Sequence, residues 1–241
     1  MESAHPRHSP VLVKRVSLGG IALILAGLTL LPQGILTRTV PSDPARNLEF
    51  ATGANSVEYR LASALTAVSL ALFVLGVFAL YGYLSTTRRE GLAFAALVVT
   101  VGFLVLFLPI TGFAFFVVPA IGSLIEQGNQ EVLAVMDQTF KEPFLPIQFL
   151  SGITWNIGSI LMGVAIWRSG RMWKWSGFLF LLYGVVAIPA FLDQKAFQLV
   201  APFLGGLAQI AAGISLQRSV IAPDERLPAQ PEHHAGLTGS S

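Results

Sequence analysis

The chain has 241 residues, 54% of them hydrophobic and only 12% charged, with 15 Lys and Arg against 13 Asp and Glu for a formal charge of +2. Soluble domains average about 25% charged residues, so this composition leaves too little polar surface to cover a water-facing globule and points to lipid as the solvent. The absence of cysteine excludes disulfides, thiolate metal sites and thiol catalysis, and the small net charge gives no case for nucleic-acid binding.

The first fifteen residues hold Pro6, Pro10, His5, His8 and two serines. They read as a disordered tail, as do residues 218–241 with their Pro, His, Ser and Gly. Between the tails, residues 16–217 read as one membrane domain. A helix rises 1.5 Å per residue, so a span needs ~20 apolar residues. Six blocks qualify: Val16–Leu36, Leu61–Leu84, Leu92–Val118, Phe144–Trp167, Trp173–Leu192 and Phe197–Leu216. They are continuous rather than alternating, which favours helices over barrel strands. The predicted fold is an all-α integral membrane bundle of six transmembrane helices.

The first block has a basic lead in Lys14 and Arg15 and an apolar run, as a signal peptide would. It is long for a signal, and no clear A-x-A site follows, so it reads as an uncleaved span. The loop from Thr37 to Tyr59, with Pro41, Pro44 and Gly53, predicts no long regular element. Arg60 opens the second block, where Glu58 suits a helix-end ion pair and the helix dipole. Pro109 lies inside the third block, followed by Thr111 and Gly112. It removes an intrahelical hydrogen bond and predicts a kink. In the next loop, Val132, Leu133, Met136 and Phe140 recur at helical spacing. An amphipathic helix within 129–140 follows, acting as a surface cover or as a lid.

In the fourth block, Gln148, Gly152, Asn156, Ser159 and Gly163 fall within an arc of about 80° on a helical wheel. Lipid cannot satisfy an amide, so this stripe should face protein. In the sixth block, Gly205, Ala208, Gln209 and Ala212 form a looser small-residue face at similar depth. The two faces are predicted to meet or to border one cavity. Trp167, Trp173, Trp175 and Lys174 flank the turn after the fourth block and suit a headgroup-level anchor.

Basic residues in the connections set orientation. The side with both termini carries ten: Arg7, Lys14, Arg15, Arg88, Arg89, Arg168, Arg171, Lys174, Arg218 and Arg226. The other side carries five: Arg38, Arg46, Arg60, Lys141 and Lys195. Both termini are therefore expected in the cytoplasm, with the chain in a cell membrane.

Four histidines, all in the tails, leave no imidazole at membrane depth for a haem. No acid, lysine or arginine sits near the middle of a block, and zinc, nucleophile-elbow and phosphate-loop motifs are absent. No catalytic residue, metal ligand or cofactor is expected. The candidate ligand-binding residues are Asn156, Gln209, Arg60 and Thr111. The expected role is non-enzymatic: structural, partner-binding or lipid-interacting, with membrane lipids and a protein partner or second copy as partners. The alternative is a carrier for a neutral or apolar small molecule.

Three stretches carry a family resemblance: "EYRLASAL" around Arg60, "LYGYL" at 80–84, and "GVAIWRSGRMWKWSGFLFLLYG" at 163–184. With Arg168-Ser169-Gly170, Gly177 and Tyr183-Gly184 in place, the chain resembles a family of mostly bacterial six-span membrane proteins of unknown function, domain of unknown function 4386. The family commonly has a proline in the turn after Ser-Gly, where this chain has Trp173 nearby. The resemblance covers about residues 16–217 in span order. It implies the six-helix layout, the plasma membrane of a bacterium and no particular reaction.

Overall fold

The computed structural model describes residues 10–37, 47–87, 90–139, 144–191 and 195–221, and these are helical with no strand among them. Ten α-helices follow in order: α1 (Pro10–Leu30), α2 (Gln33–Thr37), α3 (Asn47–Ala54), α4 (Val57–Leu84), α5 (Glu90–Gly112), α6 (Val118–Glu126), α7 (Val132–Thr139), α8 (Leu145–Ser169), α9 (Lys174–Phe191) and α10 (Lys195–Ile221). Five stretches are long and apolar enough to cross a membrane: Val13–Leu30, Val57–Leu84, Glu90–Glu126, Pro146–Ser169 and Val200–Ser219. The fifth predicted block is a shorter apolar helix, whose apolar stretch is Lys174–Ile188. The helices run past the predicted domain edges at 16 and 217. Pro10 opens α1, where its fixed φ suits the first helical turn. The rest of both predicted disordered tails lies outside the described residues.

The long helices form an up-and-down ring. Each of α1, α4, α5, α8, α9 and α10 packs on its neighbour in sequence, and α10 closes the ring on α1. The α4–α5 junction is the loosest. One end of the ring is held by polar contacts between distant turns: Ser17 Oγ donates to Gln217 Oε1 at 2.9 Å, and Arg171 Nη1 donates to Thr86 Oγ1 at 3.1 Å. This basic end carries the start of α1, the α4–α5 and α8–α9 turns, and the end of α10. Gly170 makes the sharp stop of α8 by adopting φ 65°, a left-handed conformation that costs glycine little.

Glycine sets how closely the ring packs. A Cβ on Gly27 would lie 2.4 Å from the Gly206 carbonyl oxygen, and one on Gly213 would lie 2.5 Å from that of Gly20. Thus α1 and α10 run antiparallel with backbones touching through two glycines each, spaced seven apart. The α8–α9 pair repeats the device. Gly163 faces Gly177, and the Asn156 carbonyl oxygen faces Gly184. The other faces are large and apolar, as with Leu18, Ile21, Leu25 and Leu28 on α1 and Phe94, Val98 and Val105 on α5, all exposed. Side chains that would be anomalous in water are thus presented outward, where hydrocarbon can solvate them.

Pro109, where a kink is expected, lies inside α5. The helix continues, and a π-helical turn spans Phe113–Val117, closed by the Val118 N–H on the Phe113 carbonyl. Proline lacks the N–H that would bond the Val105 carbonyl, and a wider turn just downstream absorbs the mismatch. At the opposite end from the basic turns, α3, α6 and α7 form a cap. Met136 is fully buried with Ala51, Ile121 and Ile125, and Val132 and Leu133 pack on them. The amphipathic helix predicted within 129–140 is therefore α7, docked by its apolar face; Phe140 lies outside the described residues. The loop expected to have no long regular element contributes α3, because Phe50 and Ala51 find apolar partners on α6.

Candidate functional site

The α8 stripe is only partly interior. Gln148 is exposed near the start of the helix, whereas Gly152, Asn156, Ser159 and Gly163 are buried. Asn156 takes the place of a fourth glycine in the α8–α9 contact, seven residues before Gly163 and opposite Gly184. It is tolerated because the backbone meets Gly184 there. Its side chain lies 7% exposed.

Next to it, Trp155 occupies the centre of the ring. Its indole lies 4.3 Å from the Phe103 ring, 5.5 Å from Phe73 and 5.4 Å from Tyr183, centroid to centroid. Phe107 stacks on Phe103 at 5.1 Å. Four helices thus send one aromatic cluster into the middle, in the tilted and edge-on geometries aromatic rings prefer. Gly205 makes room for Tyr183, since a Cβ there would lie 2.6 Å from the ring.

Of the two expectations for the Asn156 and Gln209 faces, that they meet or that they border one cavity, a hydrogen-bonded meeting is not found. Helix α9 packs against both α8 and α10, and Tyr183 lies between the Trp155 ring and Gly205. No hydrogen bond joins the two amides. Asn156 Oδ1, Ser159 Oγ and Gln209 Oε1 are all buried without a partner. Each such atom forgoes about 1–3 kcal/mol relative to a paired state. Thr111 is satisfied within its own helix, donating from Oγ1 to the Phe107 carbonyl at 3.1 Å. Arg60 lies at the capped end, where its Nη2 donates to Asn55 Oδ1 while Asn55 Nδ2 donates to Glu126 Oε2 at 2.7 Å. Arg60 pairs in this way rather than with Glu58 because Asn55 sits one turn back, at the α3–α4 corner. No hydrogen bond links any two of the four sequence candidates.

A second constellation lies at the basic end. A groove of about 420 Å³ is lined by Arg171, Met172, Trp173, Lys174, Trp175, Ile214, Ser215, Arg218 and Ser219. Its frame is hydrogen-bonded across two elements. The Trp173 N–H donates to Ser215 Oγ at 2.7 Å, and Ser219 Oγ lies 3.1 Å from the Arg171 carbonyl oxygen. Sequence reasoning placed Trp173, Lys174 and Trp175 at the interface but did not join them to α10. The signal was there: Ser215, Arg218 and Ser219 stand at i, i+3 and i+4, hence on one helix face.

No family model matches the chain, and no match is found among curated proteins or among solved structures.

Proposed function

We propose that the chain is a six-span, non-enzymatic integral membrane protein that serves as a packed scaffold for lipids and for a protein partner or second copy. The observation that carries this is the aromatic cluster around Trp155, together with helix pairs whose glycines bring backbone against backbone. A ring closed in this way favours a fixed shape over the rocking that alternating access requires. Helix α9 completes six spans, with Trp173 and Trp175 at the interface where it begins. The basic end faces the cytoplasm by the excess of Lys and Arg there. The resemblance to domain of unknown function 4386 belongs to the same reading.

A carrier or binding protein for a neutral small molecule is the second reading. It is favoured by the three partnerless oxygens of Asn156, Ser159 and Gln209, since such atoms ask for a water or a ligand. The two readings separate on Asn156→Leu. In the scaffold, exchanging an unpaired amide for an apolar side chain of similar size leaves stability unchanged or raises it by up to about 2 kcal/mol. Native mass spectrometry of gently purified protein then shows the same masses as wild type. A small bound mass that disappears in the variant, together with lowered stability, would overturn the scaffold in favour of the carrier.

A further inference from the structure

We infer that the groove between the α8–α9 turn and the end of α10 binds the phosphate of an anionic lipid headgroup. This deepens the membrane-scaffold reading and rests on it.

Three basic residues line the groove from two separate elements, Arg171 and Lys174 from the turn and Arg218 from α10, and no carboxylate lines it among the described residues. Topology alone does not call for this. A positive-inside signal needs basic residues on one side of the membrane, and exposed side chains spread apart would supply it without mutual repulsion. Gathering like charges in one concavity costs Coulomb energy, more so where lipid lowers the dielectric. An anion in the groove reverses that sign.

The donors suit a phosphate. Arginine presents a planar fork of five N–H groups that matches two phosphate oxygens at once, and lysine adds a point charge. Arg171 commits one nitrogen to Thr86 Oγ1 at 3.1 Å, which fixes the guanidinium and leaves its other donors for a ligand. The backbone beneath is held by the Trp173–Ser215 and Ser219–Arg171 hydrogen bonds. The basic residues therefore belong to a fastened frame. The volume of about 420 Å³ falls in the range of ligand clefts.

The indoles decide the source. Trp173 and Trp175 line the groove yet remain 52% and 59% exposed. Half-exposed indoles suit the depth of glycerol and headgroup, with one edge polar and one face apolar. A free phosphate ion would use the same cations and gain nothing from the indoles. A diacyl phosphate ester uses both.

The test takes the full-length chain in neutral detergent, delipidated, and adds short-chain phosphatidylglycerol, short-chain phosphatidylcholine or inorganic phosphate. Native mass spectrometry counts the adducts. The expected result is one saturable phosphatidylglycerol, no saturable phosphatidylcholine, and no displacement by phosphate. The variant R171Q/R218Q should weaken binding about thirtyfold, from two charges near a lipid headgroup. Because lysine lacks the planar fork, R171K/R218K should recover only the part of the binding that charge alone supplies. K14Q/R15Q, which removes two charges from α1 outside the groove lining, should leave it unchanged. Lys174→Gln alters one exposed side chain, should weaken binding about fivefold, and stands in if the double variant does not fold. Equal binding of the two lipids, or equal weakening by K14Q/R15Q, overturns the site. Displacement by phosphate overturns the lipid as the source. Carbonate extraction of native membranes is read separately: release of the chain would overturn the spanning reading, whereas retention without lipid binding overturns only the headgroup site.

Discussion

Gly27→Ala probes the contact that closes the ring. The added Cβ would sit 2.4 Å from the Gly206 carbonyl oxygen, where ordinary contact begins at 3.4 Å. The shortfall is 3.4 − 2.4, or 1.0 Å, and the obstacle is backbone, which cannot swing aside. Helices α1 and α10 must therefore separate locally by about that amount. A gap of 0.5–1 Å forfeits roughly a quarter to a half of each dispersion contact it opens, and overpacking of this kind costs about 1–3 kcal/mol. Against this, alanine gains up to about 1 kcal/mol of helix propensity over glycine. Gly102→Ala supplies the control. It is interior to α5, and its Cβ would meet nothing within 4 Å. It keeps the propensity gain and has no steric cost. The difference between the two variants cancels propensity and reads the steric effect alone. SDS-titration unfolding in mixed micelles should place Gly27→Ala about 1–3 kcal/mol below Gly102→Ala. Adding Gly206→Ala to Gly27→Ala should cost less than the sum of the two, because the helices are already apart. Equal stabilities for the two single variants would refute the backbone-contact argument.

Two further outcomes concern the capped end. Met136→Ala removes a fully buried side chain from the α3–α6–α7 cluster and should cost about 2–3 kcal/mol within the cap. Hydrogen exchange should quicken in α7 and α3, while α8 and α9 remain as protected as in the wild type; uniform loss of protection would contradict a separate cap. Asn55→Ala removes the link between Arg60 and Glu126. Exposed charge-assisted bonds of this kind are worth about 1 kcal/mol, so the melting temperature should fall slightly, and less so in high salt than in low. A loss that is insensitive to salt would contradict the electrostatic origin.

Much of this architecture is local, and local signals survive in one dimension. Continuous apolar blocks mark the long helices, because the length needed to cross hydrocarbon is a property of each helix by itself. Gly170 marks the end of α8, and the spacing of Val132, Leu133 and Met136 marks α7 with its buried face. What the one-dimensional pattern could not resolve is which apolar face meets protein and which meets lipid, since both environments accept the same side chains. The mating of Gly20 and Gly27 with Gly213 and Gly206 joins opposite ends of the chain and depends on register. The place of Asn156 depends in the same way on Gly184 lying across from it, and α9 packs against both α8 and α10, whose Asn156 and Gln209 faces wheel positions alone would have paired. The groove of Arg171, Lys174 and Arg218 exists only because Ser215 and Ser219 fasten the end of α10 to a distant turn. Periodicity reports the solvent around a helix; close packing and converging charge are properties of pairs, which only the folded arrangement brings together.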